Sequence, residues 1–260
     1  MKIYTVDSFA DKPFSGNPAG ICLLDKAISD EQCQLIAREI NYAETAFVIP
    51  EGKGFNLRWF TPTVEVDLCG HATLAAAKII FEKTGFDKPE IRFSTRSGIL
   101  TVKQTGDFLE MDFPAKPSEV SDSDEIMERF IGQKPLSVAI CGDWTILEVA
   151  SSAWIRLWKP NPSILREHQK VLVIVTARDD NYDFVSRCFA PNAGIDEDPV
   201  TGGAHCMLTP FWSKKLSATT FQAYQASQRG GSIECTLAEN NRVLLRGHAV
   251  IMGELLVDWF

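Results

Sequence analysis

The sequence predicts an α+β protein made of two related halves, each rich in short strands and each holding one buried helix. Three observations lead there. Short alternating or β-rich runs recur along the whole chain, with few helical segments between them. Two segments that read as helices, His71–Phe81 after Gly70 and Ala204–Trp212 after Gly203, are apolar on nearly every side, and a helix without a polar face has to be wrapped by protein. Finally, Arg58-Trp-Phe60-Thr-Pro62 returns 129 residues later as Arg187-Cys-Phe189-Ala-Pro191, and Gly70 matches Gly202 at an offset of 132, about half of the 260 residues. Each half reads as a strand carrying Arg-x-Phe-x-Pro, an acidic loop, then a glycine turn into a buried helix. That is the mark of a duplicated unit related by a pseudo-twofold.

The strands predicted in order are Lys2–Asp7, Thr45–Ile49, Phe55–Thr61, Glu90–Thr95, Ile99–Gln104, Phe108–Phe113, Leu136–Cys141, Thr145–Ala150, Val171–Thr176, Phe184–Phe189, Ser232–Leu237 and Arg242–Leu245. Thr105-Gly106-Asp107 and Asn240-Asn241 carry hairpin chemistry, so much of the pairing is expected to be antiparallel. A helix is predicted over Ser29–Ile40, with Ser29 as N-cap, Gln32 as its capping-box partner and Cys33, Ile36, Ala37 and Ile40 on one face. Another spans Asp124–Ile131 and ends at Gly132. The first buried helix is stopped by Gly85, and Pro210 should kink the second, since an interior proline costs about 3 kcal/mol in a straight helix. Pro114–Glu119 is the linker, which divides the chain into domains 1–114 and 115–260, with room for the last strand to cross back to the first.

Apolar residues make up 45% and charged residues 23% of the chain, as in globular proteins, which excludes disorder, collagen and coiled coil. The net charge of -8 gives no general attraction to phosphate backbones or anionic lipid, so neither nucleic acid nor membrane is an expected partner. Seven cysteines without CxxC spacing read as reduced thiols, and no apolar run approaches a membrane span or a secretory h-region. A cytoplasmic protein is expected.

If the halves face each other, the starts of the two buried helices open on a common cleft. Unpaired N–H groups and the positive dipole end, at Gly70 on one side and Gly202 and Gly203 on the other, would suit a small carboxylate. Three acid/base candidates flank that cavity. Glu44 stands where a helix gives way to an apolar strand, a place in which burial would raise its pKa toward a useful range, though a strand-end carboxylate is the plainer account. Asp198 precedes the second glycine turn, where ordinary loop or helix-start chemistry competes with a functional role. His71 opens the first buried helix, whose dipole should keep the imidazole neutral, and a core histidine bonded to backbone is the alternative. Cys69, next to Gly70 and His71, could be a reactive thiolate but reads better as a small buried hydrophobe. His205 and Cys206 read as packing. No HExxH or CxxC spacing suggests a metal, and no GxGxxG, GxxxxGK or GxSxG suggests a nucleotide or a serine-hydrolase elbow, so no cofactor is expected.

The opening Val6-Asp-Ser-Phe-Ala-Asp-Lys-Pro-Phe-Ser-Gly-Asn-Pro-Ala-Gly-Ile, then Asn41-Tyr-Ala-Glu-Thr-Ala-Phe, Leu57–Ala75 with its Asp-Leu-Cys-Gly-His-Ala-Thr, Ser186-Arg-Cys-Phe-Ala-Pro, Glu197-Asp-Pro-Val-Thr-Gly and Gln225-Ala-Ser-Gln-Arg-Gly-Gly resemble the PhzF-like phenazine biosynthesis family over the whole chain. The resemblance implies a diaminopimelate-epimerase-like fold, two domains that are each a barrel of strands around a central helix, with the active site between them. It also implies a cofactor-independent isomerase, a homodimer, and Glu44 as acid/base with His71 and Asp198 as its partners. Better-known members move a proton across the ring of a dihydro-hydroxyanthranilate. The family usually has a serine where this chain has Gly203, which keeps the backbone N–H and loses a hydroxyl. The expected function is a proton-moving isomerase of a small carboxylate. The alternatives are a racemase using Cys69 and a binding protein for small acids without catalysis.

Overall fold

The computed structural model describes residues 1–168 and 170–257. The chain forms two compact units, Met1–Asp112 with the segment from Arg246 onward, and Phe113–Leu245. In order, it runs β1 (Lys2–Ser8), β2 (Asn17–Leu23), α1 (Asp30–Ile40), β3 (Glu44–Glu51), β4 (Gly54–Phe60), β5 (Glu65–Val66), α2 (Gly70–Lys83), β6 (Glu90–Thr95), β7 (Gly98–Thr105) and β8 (Phe108–Pro114). It continues through β9 (Glu119–Ser121), α3 (Glu125–Ile131), β10 (Ser137–Cys141), β11 (Trp144–Glu148), α4 (Ser152–Leu157), β12 (Leu172–Arg178), β13 (Phe184–Ala190), β14 (Ile195–Asp198), α5 (Gly202–Leu216), β15 (Thr220–Gln225), β16 (Gly231–Ala238), β17 (Arg242–Gly247) and β18 (Ala249–Leu256).

Local chemistry explains the helices. Ser29 caps α1 by the reciprocal capping box, its hydroxyl accepting the Gln32 N–H at 3.2 Å while the Gln32 amide oxygen accepts the Ser29 N–H at 2.9 Å. Asp124 accepts the Met127 N–H at 2.8 Å to start α3, and Gly132 ends it in the left-handed region. Residues His71–Ala77 of α2 and Ala204–Trp212 of α5 are all buried, so both helices are enclosed on every side. Helix α5 runs unbroken through Pro210. Proline has no N–H to give the carbonyl of Cys206 four residues back, and that oxygen instead accepts the backbone N–H of Lys116 at 2.9 Å.

The two units repeat one pairing scheme. In the first, β2 lies parallel to β3, β3 antiparallel to β4, β4 parallel to β6, and β6 antiparallel to β7. In the second, β11, β12, β13, β15 and β16 follow the same succession. Arg58 sits opposite Phe47, and Arg187 opposite Val175. The acidic loops expected from the sequence have a physical purpose. Arg58 meets Glu65 through Nε and Nη2 at 2.7 and 2.7 Å, and Arg187 meets Glu197 at 2.7 and 2.8 Å. Arg187 also donates to the carbonyls of Ile155 and Trp158, and is the more deeply buried of the two.

Two expectations need correction. The second unit ends at Leu245 rather than running to 260, because residues from Arg246 belong with the first unit, where β18 pairs antiparallel with β1, the crossing back of the last strand for which the sequence left room. Strands β2, β5, β9, β14, β15 and β18 and helix α4 were not foreseen. Strand β2 opens Asn-Pro and contains Gly20, which read as turn residues. Pro18 is tolerated because it lies before the parallel pairing with β3, which begins at Ala19. Among the described residues, no helix is long and apolar enough to cross a membrane.

Candidate active site

Four side chains converge in the first unit. Glu44 is the first residue of β3, three residues beyond the left-handed Asn41 that ends α1. Cys69 is the N-cap of α2 and His71 the second residue of its first turn. Asn17, the first residue of β2, is fully buried. It is placed there by Gly16, whose φ of +68° and close approach to the Ser8 carbonyl leave no room for a Cβ, which would stand 2.2 Å from that oxygen.

The imidazole of His71 is the hub. Its Nε2 lies 3.3 Å from Glu44 Oε2, its Nδ1 lies 3.3 Å from Asn17 Nδ2 and 3.5 Å from Cys69 Sγ, and its backbone carbonyl accepts the Ser8 hydroxyl at 2.7 Å. The His71–Glu44 approach is close without hydrogen-bond alignment. Burial pushes the imidazole pKa down to about 3, so the ring is neutral. The dipole explanation offered by the sequence is therefore replaced by desolvation.

Spacing alone showed no metal motif, yet the fold gathers Glu44, Cys69 and His71 so that one donor atom of each lies within 4.8 Å of the others. Cys69 Sγ and Glu44 Oε2 approach different ring nitrogens. The thiol and the carboxylate therefore stand at opposite nitrogens of the ring.

In the second unit, Asp198 ends β14, and its carboxylate accepts the Thr201 hydroxyl at 2.5 Å. Gln225 clamps this turn. Its amide donates to the Asp198 carbonyl at 2.6 Å and to Thr201 Oγ1 at 3.1 Å, and accepts the Thr201 N–H at 2.9 Å. The sequence assigned Gln225 no role. It opens one of the runs that carry the family resemblance, but the partners of this fully buried amide lie 24 and 27 residues away, so that run alone does not reveal its task. Gly202 and Gly203 open α5 after Thr201, which makes no side-chain cap. A Cβ on Gly203 would stand 3.0 Å from the Trp144 ring, over which Lys116 Nζ sits at 3.4 Å from the centroid. A side chain here would need the edge of that ring to give way by a few tenths of an ångström. Inside α5, His205 donates from Nδ1 to the Thr201 carbonyl at 2.8 Å, and burial lowers its pKa to about 4.

These two histidines predict how the protein fails in acid. Both rings refuse a proton in the folded state and accept one near pH 6.5 when unfolded, so the unfolded chain binds more protons as pH falls below that value. Stability is intact above pH 6.5 and falls toward pH 4 by about 1.4 kcal/mol per pH unit for each ring. Urea titrations at a series of pH values should show this slope, reduced in a His205→Gln variant. An unchanged slope in that variant would contradict the assignment.

The phenazine biosynthesis-like family profile, PhzC-PhzF, matches residues 6–254. An uncharacterized isomerase of Pseudomonas aeruginosa is 46% identical over 256 residues, covering 97% of both chains. The mouse phenazine biosynthesis-like domain-containing protein 2 is 35% identical over 98% of both. The crystal structure of a phenazine biosynthesis PhzC/PhzF protein from Clostridium difficile superposes with a TM-score of 0.93 at 42% identity, covering all of both chains. A probable proline racemase from Agrobacterium radiobacter, 9% identical with a TM-score of 0.68 over 100% of this chain and 93% of its own, shares the fold. With its profile match nearly end to end and relatives well above one-third identity, the chain belongs to the phenazine biosynthesis-like family.

Proposed function

We propose that the protein is a cofactor-independent isomerase that moves a proton on a small carboxylate-bearing substrate with an acidic C–H. Its relatives from Pseudomonas aeruginosa and Halalkalibacterium halodurans are named uncharacterized isomerases. The observation that carries the reading is a half-buried carboxylate, Glu44, set 3.3 Å from an imidazole that burial keeps neutral. In this reading, Glu44 removes the proton from one carbon and returns it to another as the double bond shifts. The neutral His71 ring and the N–H of Gly70 stabilise charge that develops on the substrate. Asp198 and the N–H groups of Gly202 and Gly203 are assigned to holding the substrate.

The same neutral ring argues against a racemase built on Cys69. A Cys69 thiolate made by passing its proton to His71 would need an imidazolium where the ring's pKa is about 3. The reading is tested by screening small acids for thermal stabilisation and incubating those that stabilise in deuterated water. Deuterium is expected to enter the substrate or product carbon by NMR. Stabilising acids that never exchange would show a binding protein instead.

A further inference from the structure

Asn17 takes no part in the proton transfer described above, yet it is fully buried and its amide is directed at the catalytic imidazole. The tautomer of His71 follows from its two neighbours. On one side, Nε2 faces a Glu44 carboxylate oxygen at 3.3 Å. A bare nitrogen there would set two lone pairs against each other whenever Glu44 is ionised, so the proton belongs on Nε2. A neutral ring then presents a lone pair at Nδ1, and the group within reach that can satisfy it is the Asn17 amide N–H at 3.3 Å, with the Cys69 thiol beside it at 3.5 Å.

His205 shows the opposite choice in the same protein. Its Nδ1 lies 2.8 Å from a backbone carbonyl, which can only accept, so its proton must be on Nδ1. The difference between the two rings is the partner each fold position supplies: an amide donor at His71 and a carbonyl acceptor at His205.

We propose that Asn17 is a positioning residue that locks His71 as the Nε2–H tautomer, so that the ring turns an N–H rather than a lone pair toward the Glu44 carboxylate. The inference deepens the reading of Glu44 as proton carrier, and its structural half stands without it. Asn17 is held to this task by backbone, since Ser8 pairs with Asn17 in the β1–β2 ladder while the Ser8 hydroxyl holds the His71 carbonyl.

The test is long-range proton–nitrogen NMR on the full chain with labelled histidine, which reads the tautomer of each neutral ring directly. Wild type should show His71 as Nε2–H and His205 as Nδ1–H, the second serving as internal reference. Asn17→Asp places an acceptor at Nδ1 and should draw a proton onto that nitrogen, as the Nδ1–H tautomer or, with Glu44 still facing Nε2, as the imidazolium, while leaving His205 unchanged. Deuterium exchange into a stabilising acid should then fall about 10-fold or more, less than the roughly 100-fold expected for loss of the acid/base group itself. Should Asn17→Asp fold poorly, Asn17→Ser, too short to reach the ring, should leave Glu44 as the remaining bias toward Nε2–H and let a measurable share of Nδ1–H appear. A wild-type His71 in the Nδ1–H form, a tautomer indifferent to residue 17, or a full exchange rate in the switched variant would each overturn the proposal. Loss of exchange in Asn17→Asp beside full exchange in Glu44→Gln would instead remove Glu44 as the base and leave the tautomer lock standing.

Discussion

Glu44→Gln should lower turnover by about 100-fold or more while leaving the fold intact, because it keeps the shape of the side chain and removes the base. Glu44 begins β3 with its side chain 14% exposed, so the substitution neither opens a cavity nor strands a buried charge. The loss should fall on the maximal rate more than on the Michaelis constant. An amide at this position can still contact a ligand but cannot carry its proton. Thermal unfolding should shift by no more than a few degrees. Near wild-type turnover would make Glu44 a structural residue and end the proposed mechanism.

The second large effect is on stability. Arg187→Ala removes a guanidinium that pairs bidentately with Glu197, donates to two carbonyls and lies over Trp158 and Phe189. Its side chain is 9% exposed and that of Glu197 21%, so the deletion leaves a carboxylate poorly solvated and two carbonyls without their donor. Breaking a buried pair from one side costs about 3–5 kcal/mol. The equivalent Arg58 is 22% exposed and should cost less when replaced by alanine. Urea unfolding of both variants checks this. A cost below about 1 kcal/mol for Arg187→Ala would show that water reaches the Glu197 site freely.

Much of the fold was legible because its signals are local. Ser29 with Gln32, Asp124 with Gly132, and the uniformly apolar helices after Gly70 and Gly202 each carry their structural reason within a few residues. The internal repeat was legible because the arginine of each Arg-x-Phe-x-Pro run needs a carboxylate partner in both units, as Glu65 and Glu197 show. What escaped was set by distant neighbours. Strand β2 begins with residues that favour turns and becomes a strand because β1 and β3 pair on either side of it. Strand β15 is a plain miss, since Thr220–Gln225 carries the alternation of a half-buried strand. In the site, Glu44 and His71 were found from their local settings. Asn17 and Gln225 were not, since a buried amide looks like any other until its partners, 54 and 27 residues away, are brought to it. The glycine at 203 was visible as a departure from the family pattern, but its tight neighbour, the ring of Trp144, lies 59 residues earlier in sequence.

Which residue carries the proton is tested most directly by the rate at which solvent deuterium enters a stabilising acid, measured side by side for the wild type, Glu44→Gln and Cys69→Ala. Cys69 is a buried thiol beside the ring and Glu44 a half-buried carboxylate on its other side, so the two variants separate the competing bases. The account predicts exchange lost by about 100-fold or more in Glu44→Gln and largely kept in Cys69→Ala. Exchange kept in Glu44→Gln and lost in Cys69→Ala would contradict it and assign the chemistry to the thiol.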